Sequence, residues 1–153
     1  MKRVDLALGM FDVGFNCAQS IAASFGPGYG LDRDVALKMA APLGGGLSRT
    51  NGLCGAAAGA ILILGFIHGP IDAEDEAGMD RIRHLTKEFL GRFALMEGST
   101  QCTDILGVDL SQPGVVERVE TEELSSQKCP SVVRHAGEIL VEMLKDPSLI
   151  AAT

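Results

Sequence analysis

The residues of this chain best able to do chemistry are four isolated cysteines, Cys17, Cys54, Cys102 and Cys129. None belongs to a CxxC pair, yet each stands where the sequence predicts that a helix begins. The residues that indicate these starts are Asn16, Asn51, Ser99 and Pro130. Asn and Ser are favoured N-caps, and Pro is favoured at the first helical position. Because the N-terminal end of a helix favours negative charge, it favours the thiolate, the form that attacks disulfides and binds metals.

Length and composition fit one ordinary domain spanning residues 1–153. With 46% hydrophobic and 22% charged residues, the chain can bury a sizeable core. Its net charge of −7 argues against nucleic acid, which requires clustered Lys and Arg, and against anionic membrane surfaces. If the four cysteines carry redox chemistry, the expected partner is a redox protein or a small thiol.

The longest uncharged apolar run, residues 53–67, is shorter than the roughly 20 residues that span a bilayer. No membrane span and no targeting segment are predicted, so we expect a cytoplasmic protein. In a reducing cytosol, static structural disulfides are disfavoured. The cysteines are therefore expected to be reactive, to bind metal or to be buried as thiols.

Hydrophobic spacing predicts an all-α fold, a single compact domain of about five to seven helices. The predicted helices cover part of the first 15 residues and then approximately 17–25, 32–41, 54–68, 73–97, 100–106 and 130–145. Gly and Pro clusters at 26–30 and 42–46 separate them, and the polar segment 107–128 is predicted to be irregular. No strand of convincing length is present.

The helix that begins at Cys54 is apolar all round, which predicts that it is buried at the centre of the domain. Gly55 and Gly59 lie four residues apart on one face, where they would let a neighbouring helix approach closely despite the roughly 1 kcal/mol cost of each helical glycine. The same face could instead serve a homo-oligomer.

The segments around the cysteines resemble the family of redox-active cysteine proteins named for the pattern C…GCAxxG…C…C, whose central motif is often written CGAxxG. The segments that carry the resemblance are Gly14–Gln19, the run Gly44–Gly46 with Arg49, Cys54–Ala60, the region of Cys102, and Cys129 before the last helix. The resemblance covers nearly the whole chain and implies redox activity through the four cysteines. Because the chain has no CxxCH, covalent haem is not indicated.

Three interpretations of the cysteines remain open. They could form dithiol/disulfide pairs that exchange electrons, which makes the chain a candidate thiol–disulfide oxidoreductase. All four could instead ligate one metal centre, either zinc or an iron–sulfur cluster. They could also be small buried hydrophobes in a helical scaffold without redox function.

Within the dithiol interpretation, which requires no cofactor, we predict Cys54 as the nucleophile and Cys17 as its resolving partner, with Cys102 and Cys129 as a second pair. Asn51 would place Cys54 at the third position of its helix, and Gly55 would leave room beside the sulfur. Arg49 could stabilise the Cys54 thiolate. We therefore expect Gly55, Gly59 and Arg49 to border any cofactor that the site holds.

The glycine run Gly44–Gly46, with Ser48 and Arg49, could also bind a small anion in a nest of backbone N–H groups. It lacks the Gly-Lys-Ser/Thr ending of a P-loop, so a connection that lets two helices pack tightly is the favoured interpretation. His68, His84 and His135 do not form a pair at ligand spacing, and structural or solvent roles are expected for them.

Overall fold

A computed structural model describes residues 2–145 of the chain. Within that range the protein forms eight right-handed α-helices and two short 3-10 turns, with no strand longer than an isolated bridge. The helices are α1 (Lys2–Asp12), α2 (Cys17–Phe25), α3 (Arg33–Ala40), α4 (Gly55–His68), α5 (Glu76–Glu97), α6 (Cys102–Leu106), α7 (Val115–Thr121) and α8 (Leu124–Lys145). The predicted all-α single domain is confirmed, with one helix more than the predicted range.

Helix α4 occupies the centre of the domain, as its uninterrupted apolar sequence predicts. Its glycines allow α2 to pack directly on it: a Cβ placed at Gly59 would lie 2.7 Å from the carbonyl oxygen of Ala18. Ala18 immediately follows Cys17 in α2. The close helix approach predicted for Gly59 is therefore confirmed, and it sets the position of Cys17 relative to α4.

Helices α1, α5 and α8 surround this central pair and contribute the large core side chains. Phe89 and Phe93 of α5 are fully buried and stack with their ring centroids 5.9 Å apart. Val133 and Leu140 of α8 are equally buried in the same core. Burying such side chains contributes roughly 1.5–3 kcal/mol each, so the apolar stripes of α5 and α8 hold the helices that carry the cysteines.

The C-terminal third differs from the sequence-based prediction. The segment 107–128, predicted to be irregular, contains α7 and the beginning of α8. Helix α8 was predicted to begin at Pro130, but it begins at Leu124 and includes Pro130. The reason is tertiary packing: Val119 of α7 is buried and α7 packs against α8, which outweighs the weak local preferences of this polar segment.

Between α3 and α4 the chain makes one left-handed helical turn, Gly44–Arg49, here called the glycine turn. Residues 45 to 49 all have φ between 57° and 68°. Gly45 and Gly46 adopt this conformation freely, whereas each L-residue there costs roughly 1–2 kcal/mol. The turn is held by the Ser48 hydroxyl, which donates to the carbonyl of Pro42 at 2.7 Å.

No helix within residues 2–145 is both long enough and apolar enough to cross a bilayer. Helix α4 is the most apolar, but its 14 residues at about 1.5 Å each make roughly 21 Å, less than the hydrocarbon thickness of about 30 Å.

Candidate cysteine site

All four cysteines line one cavity of about 540 Å³. Its walls come from the beginnings of α2, α4 and α6, from the glycine turn, from α7 and from the first half of α8. The cysteines are free thiols; Cys54 is buried and the other three are partly buried. Four segments that are far apart in sequence therefore bring their sulfurs to one place, which is the first requirement of both the dithiol and the metal interpretations.

Cys17 is the first residue of α2, as predicted, and a complete capping box fixes it there. The Asn16 side chain accepts from the backbone N–H of Gln19 at 2.9 Å, and the Gln19 side chain accepts from the N–H of Asn16 at 3.2 Å. The Asn16 amide also donates to the carbonyl of Ala41 at 3.0 Å, which ties α2 to the segment before the glycine turn. This set of bonds orients the Cys17 side chain toward the cavity.

Cys54 and Cys102 are held beside each other by backbone pairing of the segments that precede their helices. Leu53 and Gln101 form an isolated antiparallel bridge. The N–H of Cys54 donates to Thr100 at 2.8 Å, and the N–H of Cys102 donates to Gly52 at 3.1 Å. In such pairing, diagonal neighbours on one face lie about 7–8 Å apart between Cα atoms, so the two cysteines are neighbours at one side of the cavity.

Cys54 is the N-cap of α4, which corrects the prediction that Asn51 caps this helix. Asn51 has a φ of 61°, and its side chain instead accepts from the Thr103 hydroxyl at 2.5 Å. Burial, with 5% of Cys54 exposed, raises the pKa of its thiol to about 12, although the backbone N–H groups of Ala56 and Ala57 oppose this rise. Because the Cys54 side chain forms no capping hydrogen bond of ordinary geometry, these N–H groups offset only part of the pKa rise that burial causes.

Cys129 lies inside α8 and not at its start, so the prediction that a helix begins at Cys129 is wrong. Its pKa is nevertheless below the usual thiol value, chiefly because the side chain of Cys17 hydrogen-bonds to it and also because the Ser125 hydroxyl, one turn earlier, does so. The Lys128 ammonium adds a favourable charge. Hydrogen-bond donors, and not a helix end, therefore make Cys129 the thiol of this site that most readily ionises.

The pKa of Cys17 shifts in the opposite direction, because the same hydrogen bonding links the two thiols. Hydrogen bonding to Cys129 raises the pKa of Cys17 well above its usual value, and burial and the neighbouring cysteines raise it further. Burial, and then the charge of Cys129, raise the pKa of Cys102 to about 11. Cys129 is thus the thiol of the site that ionises most readily, whereas Cys17, Cys54 and Cys102 hold their protons to higher pH.

Lys128, the residue before Cys129, also links α8 to α6. Its ammonium donates to the carbonyl of Leu106, the last residue of α6, at 2.9 Å. This bond satisfies a carbonyl that the end of a short helix leaves free, and it holds α6, which carries Cys102, against α8.

Glu97 and His135 form a partly buried pair near Cys129, and neither was predicted as a site residue. His135 Nδ1 lies 2.6 Å from Glu97 Oε1, and the Glu97 side chain is only 11% exposed. The carboxylate opposes ionisation of Cys129, so it raises the pKa of that thiol. The sequence separation of Cys129 and His135 by six residues hints at proximity, but Glu97 reaches the site from another helix and leaves no local signal.

Of the three residues predicted to border a cofactor, two line the cavity and one does not. Gly55 lines the cavity: a Cβ there would lie 2.9 Å from the Cα of Gly44 and 3.4 Å from the Cβ of Cys17. Arg49 also lines the cavity, at its exposed edge. Gly59 does not line it and acts instead through helix packing against Ala18.

Within residues 2–145, no three Cys, His, Asp or Glu side chains are grouped closely enough to hold a single metal ion. What the four cysteines share is the cavity of about 540 Å³ that they line.

The chain belongs to a known family of cysteine proteins. The family described as "Putative redox-active protein (C_GCAxxG_C_C)" matches residues 15–143, which include all four cysteines. This match confirms the resemblance inferred from the sequence. No curated protein and no solved structure shows a significant match to the chain.

Proposed function

We propose that the protein carries two electrons on a Cys17–Cys129 dithiol, which it oxidises and reduces by thiol–disulfide exchange. The observation that supports this pair is that both cysteines line one cavity, where hydrogen bonding between their thiols lowers the pKa of Cys129 and raises that of Cys17. A dithiol of this kind has one thiol that ionises more readily and can attack, and a second thiol beside it that can resolve the intermediate. The family's redox character agrees with such a role.

The exchange has two balanced steps. The Cys129 thiolate attacks one sulfur of a substrate disulfide, which forms a mixed disulfide and releases the first substrate thiolate. Cys17 then loses its proton and attacks the Cys129 sulfur, which forms the Cys17–Cys129 disulfide and releases the second thiolate. The substrate gains two electrons and two protons, of which one comes from Cys17 and one from solvent, and the protein loses two electrons.

This proposal revises the assignment made from sequence, in which Cys54 attacks and Cys17 resolves. With a pKa of about 12 and 5% exposure, Cys54 is almost entirely protonated near neutral pH and is poorly accessible. Cys54 and Cys102 are assigned to the wall of the cavity as thiols that exclude water and pack against whatever enters.

The test is single-turnover oxidation of the reduced protein by excess 2-hydroxyethyl disulfide, a small uncharged reagent. We expect Cys129→Ser to abolish the reaction and Cys17→Ser to stop it at a mixed disulfide on Cys129, visible as an added mass. Cys54→Ser is the matched control and should retain most of the rate. Loss of the reaction in Cys54→Ser with retention in Cys129→Ser would overturn the assignment.

A second candidate is an electron-transfer module that holds an iron–sulfur cluster on Cys17, Cys54, Cys102 and Cys129. The specific observation in its favour is that all four thiols line one cavity of about 540 Å³. A bound cluster would supply one-electron transfer, and the raised pKa values of three of the thiols would fall on ligation, because a metal-bound thiol is deprotonated.

Anaerobic purification followed by iron and sulfide analysis separates the two candidates. Stoichiometric iron and sulfide, lost when any one of the four cysteines becomes Ser, supports the cluster. A metal-free protein whose thiols are oxidised reversibly by two electrons per chain supports the dithiol.

A further inference from the structure

The cavity that contains the cysteines has an apolar wall that the dithiol chemistry itself does not require. That wall is formed by Ile105, Leu106, Leu110, Val116, Val119 and Val132. Sites for small molecules are mostly apolar, with a few polar groups that fix orientation, and have volumes of roughly 300–1,000 Å³. A cavity of about 540 Å³ lies within this range.

One cation stands at the edge of this wall. Arg49 of the glycine turn lines the cavity, is exposed, and makes no ion pair with any residue from 2 to 145. A Cβ placed at Gly45 would lie 3.5 Å from Cγ of Arg49 and 3.8 Å from Cδ1 of Leu110. The arginine stem and the apolar wall therefore flank the same point, with the guanidinium available for an anionic group.

A carboxylate also faces this space. Glu120 of α7 lines the cavity and is exposed, and it forms no ion pair with the residues that the structure describes. One carboxylate on a ligand can pair with Arg49, whereas a second would be repelled by Glu120 and would meet no second cation among the residues that line the cavity. The charges thus favour a ligand with a single negative end.

From this geometry we propose that the cavity binds a small aliphatic disulfide that carries one carboxylate. Its chain would lie on the apolar wall, its carboxylate at Arg49 and its disulfide toward Cys129. The proposal rests on the proposed dithiol function and names its substrate class. For a cyclic disulfide the exchange yields one dithiol molecule and the Cys17–Cys129 disulfide, with two electrons and two protons transferred to the substrate.

The experiment compares lipoate with lipoamide, two cyclic disulfides that share one aliphatic chain and differ in the terminal charge. The measured quantity is the second-order rate constant for oxidation of the reduced protein by each compound in excess. We expect lipoate to react up to about fivefold faster, the effect of one partly exposed ion pair. Arg49→Gln should remove this preference, and Glu120→Gln should increase it.

Arg83→Gln is the matched control, because it removes an exposed arginine that pairs with Asp80 and does not line the cavity. It should keep the preference for lipoate. Equal rate constants for the two compounds, or a preference that survives Arg49→Gln, would overturn the proposal.

A measurement of lipoate binding tests this inference independently of the proposed dithiol function. Calorimetric titration of lipoate into the unreactive Cys17→Ser/Cys129→Ser protein should show binding that weakens in Arg49→Gln. Binding without oxidation of the native protein would contradict the dithiol function but support the cavity as a carboxylate site. Oxidation by 2-hydroxyethyl disulfide without selective binding of lipoate would support the dithiol and contradict the substrate class.

Discussion

Cys17, the first residue of α2, and Cys129, in the interior of α8, line one cavity, and hydrogen bonding between their thiols couples their ionisation. The bond acts in opposite directions on the two thiols: it lowers the pKa of Cys129 and raises that of Cys17. Because Cys129 ionises more readily and Cys17 keeps its proton to higher pH, the two thiols are suited to different roles, attack and resolution. The chemistry of the site therefore depends on how accurately α2 and α8 are placed.

Replacing Cys17 by Ala should raise the pKa of Cys129, because it removes the donor that stabilises the thiolate most. The Cys129 thiolate is the reactive form, so its alkylation rate is high above the pKa and falls as the pH drops through it. In Cys17→Ala the fall should therefore occur at higher pH. Iodoacetamide labelling at a series of pH values, read by mass spectrometry of the Cys129 peptide, measures this shift.

Cys102→Ala is the control for that experiment. With a pKa of about 11, Cys102 is protonated over the measured range and adds no charge near Cys129. An unchanged profile in Cys17→Ala, or an equal shift in Cys102→Ala, would contradict the hydrogen-bonded pair of thiols.

Replacing Glu97 by Gln should shift the same profile in the other direction. The Glu97 carboxylate raises the pKa of Cys129, so its removal lowers that pKa and extends rapid alkylation to lower pH. Gln keeps an acceptor for His135, which limits structural change. Glu142→Gln removes a carboxylate roughly 20 Å along α8 from Cys129 and should leave the profile unchanged; a rise in the Cys129 pKa in Glu97→Gln would contradict the account.

Replacing Gly59 by Ala should destabilise the protein and disturb the site from a distance. The new Cβ would lie 2.7 Å from the carbonyl oxygen and 3.0 Å from the Cα of Ala18, so the backbone of α2 must move. Overpacking of this kind costs about 1–3 kcal/mol, and the movement displaces the adjacent Cys17. Urea denaturation measures the free energy of unfolding, and oxidation by 2-hydroxyethyl disulfide measures the effect on the site.

Gly65→Ala in the same helix is the matched variant, since a Cβ there meets no atom within 4 Å. It should stabilise the protein by up to about 1 kcal/mol, the ordinary gain of Ala over Gly in a helix. Equal effects of the two substitutions would show that contact with α2 does not set the cost at Gly59.

In the glycine turn, Gly should stabilise the protein more than Ala does, which is the reverse of their order in a right-handed helix. At Arg49, where φ is 66°, Ala pays roughly 1–2 kcal/mol of steric strain that Gly avoids, while Gly loses roughly 0.5–1 kcal/mol of backbone entropy. Arg49→Gly should therefore be more stable than Arg49→Ala by up to about 1.5 kcal/mol. At the exposed position Lys87 in α5, Gly should instead be the less stable of the two by about 1 kcal/mol. Thermal or urea unfolding of the four variants tests the reversal; the same ranking at both positions would contradict it.

The parts of the site predictable from sequence are those set by local interactions. Asn16 and Cys17 form a capped helix start because the cap, the thiol and Gln19 lie within four residues. The central position of α4 follows from its composition, and the family resemblance follows from its motif. Cys129 was misplaced because Pro130 favours a helix start locally, whereas packing of α7 on α8 extends the helix backward to Leu124. The spacing of Val115 and Val119 was the available signal for α7.

Long-range contacts account for the rest. The pairing of Leu53 with Gln101, the hydrogen bond between Cys17 and Cys129, and the approach of Glu97 join residues from different helices or loops. No periodicity in the chain encodes them, so sequence alone favoured Cys54, whose surroundings are distinctive, over Cys129, whose pKa is lowered by residues that fold against it.

The most direct test of the central claim is the disulfide that forms when the reduced protein is oxidised with one equivalent of diamide under anaerobic conditions. Proteolysis without reduction, followed by mass spectrometry, identifies the linked peptides. The account predicts a Cys17–Cys129 linkage, with Cys54 and Cys102 remaining free thiols. A linkage of Cys54 to Cys17, or of Cys54 to Cys102, as the first product would contradict it.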